Sequence, residues 1–296
     1  MQPIPFDKRE GYIWYNNSVV DWSAANTHIL NHGLHYASSV FEGIRVYNGK
    51  IFKLHEHNQR LHRSAELLGF KIPYSVQELD DATEEIVKTQ KIQNGYIRSI
   101  AWRGSEQMAI LTTHSKIHVA IACWQWPSYY SDAKKLAGLR LCLAEWQKPS
   151  PQTAPTASKA AGLYMIATLS KNKANEDGYD DALMLDWRGY IAEGTGANIF
   201  LKIGGELHTP IADCFLNGIT RQTIISLAKE TGVKVIERRI LPTELEHTEE
   251  VFFTGSAAEV TPIKSINING NLYSFKIGED TLTRSLMQQY KNLVGA

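Results

Sequence analysis

Two turn pairs, Asn16-Asn17 and Asn48-Gly49, are each flanked by apolar or aromatic residues and fold the chain back on itself early. Such pairs close tight hairpins, so the first part of the chain reads as antiparallel strands. Helical periodicity follows. From His55 to Leu68 the residues Leu61, Ala65 and Leu68 recur on one face, and Gly69 stands where a helix would end. Ser75 followed by Glu78 forms a capping box, with Leu79, Ala82, Ile86 and Val87 as the buried stripe behind it. Strands are expected over Tyr96–Trp102 and Ile117–Trp126. The later part reads as a strand over 139–146, a helix from Leu163 to near Gly178, and a meander over 182–186, 190–192, 198–203 and 206–208. A helix over 220–231, strands over 233–238 and 250–254, and a C-terminal helix from Thr281 complete it. Strands and helices that alternate with hairpins throughout define a mixed α/β (α+β) chain and argue against a doubly wound sheet.

A chain of 296 residues exceeds the size at which one core usually keeps growing, so two domains are expected. The stretch from Pro127 through Lys135 loses apolar periodicity and opens on proline. The expected division is a small N-terminal α/β domain over 1–126, an interdomain loop over 127–137 and a larger C-terminal domain over 138–296. The 31 basic residues balance 31 acidic ones, which leaves no net attraction for nucleic acid or an anionic membrane surface. The N-terminus carries charges where a signal peptide needs an apolar run, and the apolar stretch from Ile117 to Trp126 is too short to span a bilayer. Cys123, Cys142 and Cys214 are odd in number and widely spaced, so no disulfide framework is implied and a reducing cytoplasm is the expected location.

The chemistry centres on Lys159, set in Thr156-Ala157-Ser158-Lys159-Ala160-Ala161-Gly162. A lysine among small residues, with no acid beside it, sits where an amine can lose its charge and attack a carbonyl. Tyr164 follows it, and then Glu193-Gly194-Thr195-Gly196-Ala197-Asn198. With Tyr12-Ile13-Trp14, His32-Gly33-Leu34-His35-Tyr36, Val40-Phe41-Glu42-Gly43-Ile44-Arg45, Gln59-Arg60-Leu61-His62, Tyr96-Ile97-Arg98, Trp124-Gln125-Trp126, Gly218-Ile219-Thr220-Arg221 and the run from Thr254 to Pro262, these blocks span nearly the whole chain. Their order resembles that of the fold-type-IV (class IV) aminotransferases, and most closely the branched-chain amino-acid members.

The resemblance implies a D-amino-acid-aminotransferase-like fold, with a C-terminal pseudo-barrel domain that binds pyridoxal phosphate. It implies that Lys159 forms the Schiff base and, once released by substrate, moves the proton between the substrate Cα and the cofactor C4′. Glu193 would keep the ring nitrogen protonated, as an electron sink requires. Gly218-Ile219-Thr220 precedes a helix, so the N–H groups of Ile219 and Thr220 would face the phosphate, joined by Ser256 and Arg60. Tyr164 would bond the cofactor's 3′-oxygen, and Asn198 matches a cofactor-side position. For substrate, Tyr96 and the N–H groups of Ser256 and Ala257 would hold the α-carboxylate, and Arg98 would receive the side-chain carboxylate of glutamate. Phe41, Trp126, Tyr129 and Tyr164 would wall the apolar pocket. Tyr36 and the Met108 to Ile110 region would reach in from a second subunit, so a homodimer or higher homo-oligomer is expected, with active sites at the subunit interface.

The implied reaction is reversible transfer of the amino group of leucine, isoleucine or valine to 2-oxoglutarate. D-amino-acid transaminase, (R)-amine transaminase and aminodeoxychorismate lyase are the alternatives on the same fold, and Tyr96-Ile97-Arg98 with Val40-Phe41-Glu42-Gly43 favours the branched-chain group. No metal is expected. His55-Glu56-His57 lacks the two-histidine spacing of a zinc protease, the third glycine of a dinucleotide fingerprint is replaced by Ile199, and neither a phosphate-binding P-loop nor a serine nucleophile elbow is present.

Overall fold

The computed structural model describes residues 4–126 and 128–295. Its chain divides into two compact units, Met1–Pro127 with Ser158–Gly162, and Ser128–Ala157 with Leu163–Ala296. The lysine segment thus belongs to the first unit, although the sequence reading places all of 138–296 together.

In the first unit, β1 (Tyr12–Tyr15) and β2 (Ser18–Asp21) form the first hairpin, and Asn16 and Asn17 take the positive φ its turn demands. The short helix α1 (His32–Tyr36) follows, capped by the side chain of Asn31. Strands β3 (Ser39–Tyr47) and β4 (Lys50–Ile51) make the second hairpin. Helices α2 (Leu54–Leu67) and α3 (Val76–Thr89) come next, α3 with the complete Ser75/Glu78 capping box that the sequence predicts. Then come β5 (Gly95–Arg103) and β6 (Ile117–Gln125). The six strands form one antiparallel sheet in the order β2-β1-β6-β5-β3-β4. Leu61, Ala65, Leu79, Ala82, Ile86 and Val87 from α2 and α3 bury their predicted stripes against Val40, Ile44, Val46, Ile97 and Ile121 of the sheet. This burial leaves the opposite face of β3 and β5 to carry Phe41, Tyr96 and Arg98.

The second unit opens with α4 (Asp132–Ala137), which corrects the expectation of a loop over 127–137. The Ser131 side chain accepts from the N–H of Lys134, which supplies a helix start that the loss of apolar periodicity concealed. Pro127, on which that loop was expected to open, lies outside the described residues. After α4 come β7 (Leu139–Leu143), α5 (Met165–Glu176), β8 (Asp181–Leu185), β9 (Ile191–Gly194), β10 (Asn198–Ile203), β11 (Glu206–Pro210) and α6 (Ile219–Glu230). The chain finishes with β12 (Val235–Arg238), β13 (Thr248–Gly255), β14 (Glu259–Ile268), β15 (Asn271–Ser274) and α7 (Leu282–Val294). The sequence reading leaves β14 and β15 unassigned. The nine strands run β12-β11-β10-β13-β14-β7-β8-β9, with β15 on β14. A further pairing of β9 with β10 closes six of them into a barrel. The closing pair is Glu193 opposite Asn198, so the carboxylate singled out in the sequence sits at the seam.

Candidate active site

In the first unit the lysine segment is fastened on both sides by its backbone. The Ser158 hydroxyl donates to the Ser64 carbonyl at 2.9 Å, and the Lys159 N–H donates to the Ser64 hydroxyl at 3.0 Å. On the other side the Phe41 N–H donates to the Lys159 carbonyl at 3.1 Å, and Ala160 bridges Val40. The small residues around Lys159 are what permit this close seating: a Cβ at Gly162 would stand 3.0 Å from that of Ala37. With the backbone held, the side chain is aimed. Its Nζ lies 4.9 Å from the centre of the Phe41 ring. Burial lowers the amine's affinity for a proton and the nearby Arg60 guanidinium lowers it further; Glu42 and Tyr96 oppose, Arg98 adds to the fall, and the pKa is brought to about 8.

Phe41, Tyr96, Arg98 and Trp126 gather around this amine's neighbour ring. The Arg98 guanidinium lies 4.5 Å from the Phe41 centroid and 5.5 Å from that of Tyr96. Trp126 meets Tyr96 edge to face at 4.8 Å. Strand alternation puts Tyr96 and Arg98 on one face, as the sequence predicts, and β5 pairs Arg98 with Gly43. An ideal Cβ on Gly43 would fall 1.8 Å from the Tyr96 hydroxyl oxygen, so only glycine lets that ring lie across β3. A lone glycine inside a strand was the available signal for this close approach.

Beneath the same strand is a charged cluster that the sequence reading did not assign. Glu42, fully buried, accepts from Arg60 Nε at 2.6 Å and Nη2 at 2.8 Å, and from His57 Nδ1 at 2.7 Å. Burial alone would raise its carboxyl, but Arg60 and His57 outweigh that and hold it well below the usual carboxylate range. His57 is pushed down by burial, only partly countered by Glu42, so a neutral ring donates from Nδ1. Arg60, expected at the phosphate, thus turns its Nε/Nη2 fork to Glu42. Tyr36 stands apart from this group at the end of α1, exposed and against the ring of His32 at 4.7 Å.

In the second unit, Glu193 is buried. It accepts from Lys148 Nζ at 2.8 Å on one oxygen and from Asn198 Nδ2 at 3.1 Å on the other. Asn198 also donates to the Leu216 carbonyl at 3.0 Å. The turn after Glu193 is held by Asp181, which accepts from the Thr195 hydroxyl at 2.6 Å and N–H at 3.3 Å, from the Tyr130 hydroxyl at 3.1 Å and from Lys171 at 2.6 Å. Lys171 in turn lies 5.7 Å from the Tyr129 ring. Gly218 caps α6 without a side-chain oxygen, so no side chain of the cap covers the N–H groups of Ile219 and Thr220. Ser256 and Ala257 lie in the turn between β13 and β14, and Tyr164 is the N-cap of α5.

These residues suit a flat, phosphate-bearing cofactor. Each Glu193 oxygen, with one donor, keeps acceptor capacity, a Cβ at Gly196 would meet nothing within 4 Å, and the start of α6 offers N–H groups to an anion. Among the described residues one group of possible metal ligands occurs. Asp186, Asp213 and Cys214 bring ligand atoms within 4.8 Å of one another, but the Arg188 guanidinium fills the space between the carboxylates at 2.6 and 3.0 Å. His55 and His57, in the stretch where histidines cluster, are spent on Asp80 and Glu42.

The model of the amino-transferase class IV family matches residues 39–266. This chain belongs to the class IV aminotransferases. It is 44% identical over 284 residues to the probable branched-chain-amino-acid aminotransferase of Rickettsia bellii, covering 96% of each chain. To the branched-chain-amino-acid aminotransferase of Pseudomonas aeruginosa it is 39% identical, covering 97% of this chain and 94% of that one. A crystal structure of the branched-chain amino acid aminotransferase from Thermobaculum terrenum in its PLP-bound holo-form superposes with a TM-score of 0.86 at 30% identity, over 96% of this chain and 94% of that chain.

Proposed function

We infer that this aminotransferase uses pyridoxal phosphate to move the amino group of leucine, isoleucine or valine reversibly to 2-oxoglutarate. The full-length likeness to relatives so named supports the substrate class. The observation that carries the reading is Lys159, whose proton affinity falls to about 8 while its backbone is fastened on both sides. An amine in that range is both nucleophile and general base near neutral pH. Pyridoxal phosphate, when bound, supplies an aldehyde that takes the substrate amine and a ring that draws electrons from the substrate Cα.

The chain's own groups do the rest. With the cofactor bound, Lys159 would hold it at its aldehyde carbon and would move the proton at the substrate Cα. Glu193, held by Lys148 and Asn198, would serve the ring nitrogen, and Tyr164 the 3′-oxygen. The N–H groups of Ile219 and Thr220, with Ser256, would receive the phosphate, together with Arg60, which holds Glu42 at the same time. Tyr96 and the Ser256-Ala257 turn orient the α-carboxylate. Phe41, Trp126 and Tyr129 receive the aliphatic side chain, and Arg98 pairs with the carboxylate of glutamate. Tyr36 and the 108–110 stretch serve the pocket of a second copy in a homodimer or larger assembly, a reading supported by the exposure of Tyr36, Ile110 and Leu111. Among the described residues no helix is long and apolar enough to cross a membrane, and the cytoplasm is the proposed location.

Borohydride reduction followed by peptide mapping tests the central assignment, and a panel of amino acids against 2-oxoglutarate tests the substrate class. Label fixed at Lys159 with leucine, isoleucine and valine as the best donors is the expected result. Label elsewhere, or preference for D-amino acids, would overturn it.

A further inference from the structure

Lys148 was not singled out by its sequence surroundings, yet it is one of the few buried lysines, at 9% exposure. Its backbone is fixed: the N–H donates to the Leu185 carbonyl at 2.8 Å and the residue bridges Asp186 in parallel register. That places its ammonium 2.8 Å from Glu193 Oε1, while Asn198 donates to Oε2. Asn198 is neutral and favours the carboxylate only through a hydrogen bond, whereas Lys148 brings a full positive charge.

A carboxylate and a ring nitrogen that share one proton have two arrangements, a charged pair and a neutral pair. A cation in contact with the carboxylate is closer to the negative charge than to a positive charge on the far side of it. Attraction therefore exceeds repulsion and the charged pair is favoured. We propose that Lys148 is a positioning residue whose charge, in contact with Glu193, favours placing the shared proton on the ring nitrogen of the cofactor. The inference rests on the assignment of Glu193 to that nitrogen. Burial alone would strip the Lys148 proton, but Glu193 outweighs it and holds the ammonium above its ordinary range. Tyr164 and Cys214 also face Lys148. Cys214 does not compete as an anion, because burial pushes its thiol up to about 12.

The test is nitrogen NMR of the holoenzyme loaded with pyridoxal phosphate carrying 15N in the ring, compared across wild type, Lys148→Arg, Lys148→Met and Glu193→Gln. Single-turnover loss of the leucine Cα proton is followed in parallel. Wild type and Lys148→Arg should show the protonated ring nitrogen. Lys148→Met should move the signal toward neutral pyridine and slow proton loss at least ~10-fold, equivalent to ~1.4 kcal/mol in the barrier. If the methionine variant fails to fold, Lys148→Gln, which keeps a donor without the charge, should show the same shift. A protonated signal that survives loss of the Lys148 charge but not Glu193→Gln overturns the role of Lys148 and leaves that of Glu193 intact. A protonated signal in Glu193→Gln refutes the assignment of Glu193 itself.

Discussion

Two lysines, one in each unit, are both desolvated, with opposite results. Lys159 lies near Arg60 and Arg98, and its proton affinity falls to about 8. Lys148 has Glu193 at 2.8 Å, and its affinity rises although burial pulls it down. Desolvation disfavours the ammonium in both places, so the neighbouring charge decides the sign. The unit that supplies the reactive amine surrounds it with guanidinium groups and an aromatic face. The unit that supplies the carboxylate gives it a permanent counterion. Reactivity and fixed charge are thus separated by neighbour choice rather than by depth.

The contrast can be broken at the reactive lysine first. Lys159→Ala should fold and lose more than ~10⁴-fold in transamination, because in the proposed mechanism one group both anchors the cofactor and transfers the proton. Steady-state turnover with leucine measures this, and a residual rate of a tenth of wild type would remove Lys159 from the chemistry.

The counterion lysine should show its value in stability. Without cofactor, Lys148→Met leaves the buried Glu193 carboxylate short of its cation, a change that costs ~3–5 kcal/mol when a buried pair is broken. Denaturant unfolding of the apoprotein reports it; an unchanged midpoint would mean the pair contributes nothing net.

Arg98→Met separates charge that serves substrate from charge that tunes the amine. It should impair the half-reaction with glutamate by ~1.5–3 kcal/mol, the worth of a hydrogen bond to a charged group, and the leucine half-reaction much less. Equal losses would assign Arg98 to the shared α-carboxylate in place of Tyr96.

The smallest effect is opposite in sign to that at Lys148. The Lys159 pKa is lowered on folding, so below about 8 the folded chain carries a buried ammonium that the unfolded chain solvates freely. That cost is complete below about 8 and fades as pH rises toward the ordinary lysine range. Lys159→Met should therefore raise the apoprotein Tm at pH 7, by roughly 2–4 °C for each ~1 kcal/mol of that cost recovered in a chain of this order of size. The gain should shrink between pH 8 and 10, and a constant difference across that range would place its origin in packing.

Signals carried by neighbouring residues were legible. The turn pairs at Asn16-Asn17 and Asn48-Gly49, the Ser75/Glu78 box and the apolar stripes of α2 and α3 appear where local propensity puts them. Lys159 and Glu193 were singled out by the ordered blocks that surround them, and the structure shows both with restricted access to solvent. The start of α4 was hidden because its signal is a single serine cap in a stretch without periodicity. Tyr96 and Arg98 on one face followed from strand alternation, whereas the Gly43 gap that receives the Tyr96 ring needed the β3–β5 register.

By itself the sequence named the candidate groups, Lys159 and Glu193, because the ordered blocks around them carry the family resemblance. The tertiary structure alone decided which charges stand beside each of them, and so how readily Lys159 holds a proton. Glu42 meets Arg60 and His57, Lys148 meets Glu193, and Asn198 meets Glu193 at the barrel seam. The first two meetings depend on packing between residues well apart in the chain and the third on the β9–β10 register, and electrostatic energy depends on the distance in space at which the partner finally stands.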